Sequence, residues 1–142
     1  VLEGEALYLL QKMDLSDIIL VRASRGDLIL IPPGYGHVTI NPSKETLLMA
    51  NLVSSEFTSD YLPFENMRGA AYYLFANGRT DKNPRYPDSI PALREVTCHG
   101  KTLPLPFPQV TLYSCIGDEK SLAFLNAPGS FMEEYKKLYL FT

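Results

Sequence analysis

The sequence predicts an all-β, mainly antiparallel fold that closes into a β-barrel and ends in a short helix. Three observations lead there. Short apolar runs of strand length recur along the first half at near-regular spacing, beginning with 6–11 and 18–23. Tight-turn residues separate them, as in Met13-Asp14-Leu15-Ser16-Asp17 and Arg25-Gly26-Asp27. The helix has its own signal near the end of the chain, where Ser130 and Glu133 have capping-box spacing ahead of the stripe Phe131, Tyr135 and Leu138.

The elements follow in order. After the strands at 6–11 and 18–23, glycine at 26 permits a turn that residues with a Cβ resist. A third strand, 28–31, runs into Pro32-Pro33-Gly34 and stops, because proline donates no ladder hydrogen bond. A fourth strand covers 37–41 and a fifth 46–53. Residues 59–68 read as a helical turn or lid, and 69–75 as a strand ending at Asn77-Gly78. The polar, proline-rich stretch 81–91 reads as a surface loop. Strands are expected at 109–115 and 121–126, then a helix over 130–140 capped by Ser130. The barrel is assigned to 1–96, and 97–142 to a C-terminal extension packed on it.

Composition narrows the function classes. A hydrophobic content of 46% excludes a disordered chain, and 142 residues suffice for one domain with a real core. The net charge of −3 gives no basic field for nucleic acid. No apolar run approaches the roughly 20 residues that span a bilayer, and the first residues lack the pattern of a signal peptide. Two cysteines are too few for a disulfide framework and favour a reducing, cytoplasmic location.

The chemistry concentrates in 26–41, whose spacing is G-x5-P-x-G-x2-H-x3-N with Gly26, Pro32, Gly34, His37 and Asn41 at the fixed positions. Gly26 turns the chain into a strand, and Pro32 with Gly34 ends it. His37 then opens the next strand, where alternation aims its imidazole inward and turns Val38 and Ile40 to the other face. Imidazole is a common ligand for borderline metals.

This segment resembles the second motif of the cupins, and Val1-Leu2-Glu3-Gly4 resembles the end of their first motif. The resemblance implies a jelly-roll barrel with His37 as one ligand of a divalent metal. It places the other ligands, an H-x-H pair and a Glu, upstream of Val1, so the chain reads as one that begins within the motif. The match narrows to the cupin-type glucose-6-phosphate isomerases of archaea over residues 1–96. It is carried by 1–11, Ile31-Pro32-Pro33, His37, Asn41, Ser59-Asp60-Tyr61, Asn66-Met67-Arg68-Gly69, Ala71-Tyr72-Tyr73-Leu74-Phe75, Asn83-Pro84-Arg85-Tyr86 and Ile90-Pro91-Ala92-Leu93. The chain departs from that pattern near Val53, where an expected aromatic is absent, and shortly before Tyr61, where Ser or Thr replaces a His.

The resemblance implies a metal-dependent aldose–ketose isomerase acting on glucose 6-phosphate and fructose 6-phosphate. The metal, iron, manganese, nickel or zinc, would position or polarise the sugar, and the upstream Glu would move the proton. Tyr61 is the candidate substrate-binding hydroxyl, against the plainer reading of a tyrosine covering the barrel mouth. Tyr35 reads as packing and Asn41 as a backbone-bonding residue. Cys98-His99 lacks the second pair a zinc site needs. Asp14, Asp17, Asp81 and Asp88 read as solvated turn residues. Because one fold hosts many functions, a non-catalytic sugar-binding or sensor cupin and an oxygenase-type metal cupin stand as alternatives. Open sheet edges suggest a homodimer.

Overall fold

The computed structural model describes residues 1–98 and 112–138. Its strands are β1 (Glu5–Lys12), β2 (Ile18–Ser24), β3 (Tyr35–Ile40), β4 (Tyr72–Leu74), β5 (Thr80–Lys82) and β6 (Arg94–Thr97). Its α-helices are α1 (Leu62–Asn66), α2 (Ala123–Asn126) and α3 (Met132–Lys136). One sheet has the order β3-β1-β2-β6, and β4 with β5 forms a separate hairpin. All pairings are antiparallel except β2 with β6, which is parallel. The fold is therefore mostly β with short C-terminal helices. Among the described residues the strands do not close into a barrel, and β3 and β6 stand at the two edges of the main sheet.

β1 and β2 are apolar on both faces because both faces are covered. On one face Leu10, Ile19, Val21 and Val96 pack with Leu30, Cys98, Phe124, Tyr135 and Leu138. On the other, Leu7, Leu9, Ile18 and Leu20 pack with Ala70, Ala71, Tyr72, Tyr86 and Ile90. Gln11 is the polar exception on this second face. Its Oε1 accepts from the Ala71 amide at 2.8 Å and its Nε2 donates to the Tyr86 hydroxyl at 3.1 Å.

Several expected elements differ. Residues 28–31 form no strand, since the two prolines that follow remove donors and Leu30 turns into the core instead. The stretch 46–53 pairs only at Leu48, which bridges Glu3. The loop 81–91 is not simply a surface loop. Thr80–Lys82 pairs with β4, and Asn83, Tyr86 and Ile90 are buried. Asn83 Nδ2 donates to the carbonyls of Met67 and Ala70, both at 3.0 Å, which ties the loop down. Within 121–126 the chain is helical, with Asp118 accepting from the Ser121 amide at 3.1 Å. Of 109–115 the described part, Leu112–Cys115, is a 3-10 helix.

The capping box does not form. Pro128 starts a 3-10 turn (Pro128–Phe131) that takes in Ser130, so Phe131 holds the N-cap position of α3 and Glu133 pairs with Lys136. The end of the expected helix lies outside the described residues.

Replacing Gln11 by Met keeps the volume but strands the buried Ala71 N–H without a partner. A loss of about 1–3 kcal/mol is expected, read as a lower urea midpoint at unchanged slope.

Candidate functional site

A cleft of about 640 Å³ opens on the face of the sheet that carries Leu10. Its back wall is Tyr8, Tyr35, His37 and Thr39 from β1 and β3. The register explains why these side chains gather. Leu10 lies opposite His37 and Tyr8 opposite Thr39, so residues of one parity share the cleft face. Val38 and Ile40 accordingly pack into the second cluster, on the opposite face. The remaining walls come from 27–35, from 49–54 with Phe57, and from Phe124, Leu125, Pro128 and Tyr135.

The turn that delivers β3 requires glycine at 34, where φ is +78°. Tyr35 N then donates to Pro32 O, and Met13 N donates to Gly34 O at 2.8 Å. Tyr35 is held at its hydroxyl as well. It donates to Asp17 Oδ2 at 2.8 Å, and Arg94 pairs with the same carboxylate at 3.2 Å. Burial, followed by the hydrogen bond to Asp17, raises the Tyr35 pKa well above the ordinary phenol value, so this hydroxyl stays protonated. Asp17 is therefore a tie between the β1–β2 turn, β3 and β6 rather than a merely solvated turn residue.

His37 is exposed at the cleft, yet the surrounding walls displace enough water to lower its pKa from 6.5. The imidazole is neutral at pH 7, able to accept a proton or to ligate. Tyr61 is placed elsewhere. It is 66% exposed, does not line the cleft, and precedes α1, whose Phe64 packs on the opposite face of the sheet. The structure thus does not bring Tyr61 and His37 together. Asn41 is a turn residue: its side chain donates to Glu45 O at 2.8 Å and accepts from Ser43 N at 3.0 Å.

Among the described residues no three His, Cys, Asp or Glu side chains group closely enough to hold a metal ion. The described lining residues include neither lysine nor arginine. Cys98 is buried, and His99 lies outside the described residues. No helix among the described residues is long and apolar enough to cross a membrane.

Gly36 escaped the sequence reading. A Cβ there would come within 2.5 Å of Phe64 Cε2, so its bare backbone is what lets α1 sit against β3. The strand expected at 37–41 begins two residues earlier, at Tyr35, so Gly36 lies inside it, where a glycine marks close approach of a neighbour.

A two-faced β-sheet with an imidazole and two tyrosines on the wall of a cleft defines a small β-domain. The chain belongs to the glucose-6-phosphate isomerase (GPI) family, whose model matches residues 1–91. That match includes β1 to β5, the whole 26–41 segment, His37 and Tyr61, and it ends before β6. No curated protein and no solved structure matches the chain.

Desolvation of His37 carries a pH signature. The unfolded imidazole, with its ordinary pKa near 6.5, takes up a proton before the folded one does as pH falls. The contribution from neutral His37 is therefore complete above about pH 6.5 and is lost as pH drops through the depressed folded value. Urea titrations at stepped pH should show that slope, and His37→Gln should flatten it.

Proposed function

We propose that this chain contributes the substrate cleft of a glucose-6-phosphate isomerase, interconverting glucose 6-phosphate and fructose 6-phosphate. One observation carries the reading. The family match spans the segment that builds the back wall, and His37, the side chain with most chemical capacity there, faces the cleft. In this reading the four-stranded sheet is one side of a cupin-type jelly roll.

Aldose–ketose isomerisation moves a proton between adjacent carbons through an enediolate, so it needs a base and a group that stabilises negative charge. His37 suits a ligand to a divalent metal, which would supply that stabilisation. The described residues alone do not fit such an ion, since a single imidazole does not hold a labile metal against water. In this reading the other ligands and the proton-moving Glu would lie N-terminal to Val1, as the resemblance to cupin isomerases implies. Metal-dependent turnover then belongs to a chain that carries that segment. Tyr61 would reach substrate only if the stretch between the cleft and α1 folds toward His37.

A second reading, a sugar-binding protein without catalysis, draws on the lone imidazole and on the lack of a described lysine or arginine in the lining. A coupled assay for fructose 6-phosphate formation, run beside metal analysis, separates the two. Residues 1–142 should show neither stoichiometric metal nor turnover, and a chain extended upstream should show both. In the extended chain His37→Ala should lower metal content and reduce kcat/KM by about 10²-fold or more. Sugar binding by calorimetry with no turnover in the extended chain would favour the binding protein. Stoichiometric metal and turnover in residues 1–142 alone would overturn this account of the site.

A further inference from the structure

We propose that residues 49–57 form a strap that closes over the cleft and lays Phe57 on whatever occupies it. The ligand identity rests on the functional reading above, but the strap itself rests on how this segment is held. Its two ends are fixed, while among the described residues its middle is held only by local turn bonds and one weak side-chain contact. At the first end Leu48 exchanges hydrogen bonds with the β1 side of the sheet. Glu3 N donates to Leu48 O at 3.1 Å, Leu48 N donates to Glu3 O at 3.0 Å, and Leu2 N also reaches Leu48 O, at 2.8 Å. At the other end the Asp60 carboxylate accepts from Leu62 N at 3.0 Å, and Phe64 seats α1 against Gly36.

Between these anchors the chain forms a cleft wall with almost no support of its own. Within 49–57 the one backbone–backbone hydrogen bond among the described residues runs from Phe57 N to Ser54 O, a local turn. The contact from Tyr8 Oη to Met49 Sδ, at 3.1 Å, is the one side-chain tie to the sheet among the described residues, and sulfur is a weak acceptor. None of these residues is buried. Val53 is 58% exposed and Phe57 63% exposed, although both line the cleft. Two large apolar side chains at the lip of a concave site, on a backbone not bonded to the sheet, can gain burial by moving inward over a ligand. The C–H face of a sugar is the kind of surface an aromatic ring covers. Segments with few buried contacts and few backbone hydrogen bonds sit at the low-stability end of a fold, where such motion is cheapest.

Hydrogen exchange tests the strap first, with no ligand present. The amides of 49–53 should exchange near the rate of unstructured chain, while those of β1 and β2 are protected. Protection of 49–53 comparable to the strands would overturn the proposal. Closure is tested next. The chain contains no tryptophan, so Phe57→Trp supplies a single emission reporter. Fructose 6-phosphate, with binding followed separately by calorimetry, should shift that emission to the blue and slow exchange at 49–53 by about tenfold or more. Binding without either change would overturn closure while leaving the functional reading intact. If calorimetry shows no binding to residues 1–142, the strap is tested without the sugar, and the functional reading is left to the turnover assay on the extended chain. The dye 8-anilinonaphthalene-1-sulfonate, which enters apolar clefts, then serves as occupant. Energy transfer from the introduced indole to the dye with slowed exchange would support the strap, and dye binding without them would overturn it.

Discussion

The antiparallel pairing of β1 with β3 is the constraint on which the site depends. It sets Leu10 opposite His37 and Tyr8 opposite Thr39, so one parity of β3 looks into the cleft and the other packs on the far side. A slip of one residue would reverse every side chain. His37 would move into the cluster around Leu9 and Ile18, and Val38 would face water. That slip is opposed from both sides of β1, where Leu10 is buried in one cluster and Leu9 in the other. The core therefore fixes the face on which the imidazole lies. Tyr35 adds a second fixed point, because its hydroxyl bond to Asp17 ties the start of β3 to the β1–β2 turn and to β6.

Much of this is legible in the sequence, for physical reasons that can be named. β1 and β2 show as apolar runs bounded by polar turn residues, and their bounds lie within a residue of those runs at each end. The turn into β3 is legible because Gly34 takes a positive φ that other residues resist. The facing of His37, Val38 and Ile40 follows from a period of two. Local signals fail where long-range packing decides. Residues 28–31 look like a strand by composition, but among the described residues they join no sheet, and Leu30 packs into the core. Asn83 looks like a loop residue, yet it is buried because its amide satisfies the carbonyls of Met67 and Ala70. At 121–126 the polar residues around Asp118 begin a helical turn, which outweighs the strand-like composition.

The candidate site is less legible than the fold, because only its back wall is local in sequence. The 26–41 segment can be recognised as a unit, and His37 with it. The neighbours that shape the imidazole's surroundings come from far along the chain. Asp17 reads as an ordinary turn acid until Tyr35 and Arg94 are seen to converge on it. Gly36 occupies an unmarked position of the motif, and its role emerges only when Phe64 is placed against it. Tyr61 shows a different limit. Family resemblance singles it out, whereas the geometry shows only that it is 66% exposed and outside the lining of the cleft that holds His37.

The composition of the cleft also separates what the family match covers from what it does not. Back wall and strap lie within residues 1–91, whereas Phe124, Leu125, Pro128 and Tyr135 close the cleft from beyond them. These residues are not loosely attached. Phe124 and Tyr135 share a buried cluster with Leu10 and Val21, and the Tyr135 hydroxyl donates to Phe124 O at 2.9 Å. The same packing that covers one face of the sheet thus supplies one side of the site. Changes in this C-terminal stretch would act on stability and on cleft shape together, because a side chain that fills the core at one end of the cluster lines the cavity at the other. The wall made by 49–57 differs. Among the described residues it touches the sheet through few bonds and buries no residue, so a change in its shape would disturb the core less. The cleft therefore joins a rigid back, a C-terminal wall bound to the hydrophobic core, and a weakly held front. In the proposed closure this division would keep the position of His37 fixed while the opening changes shape.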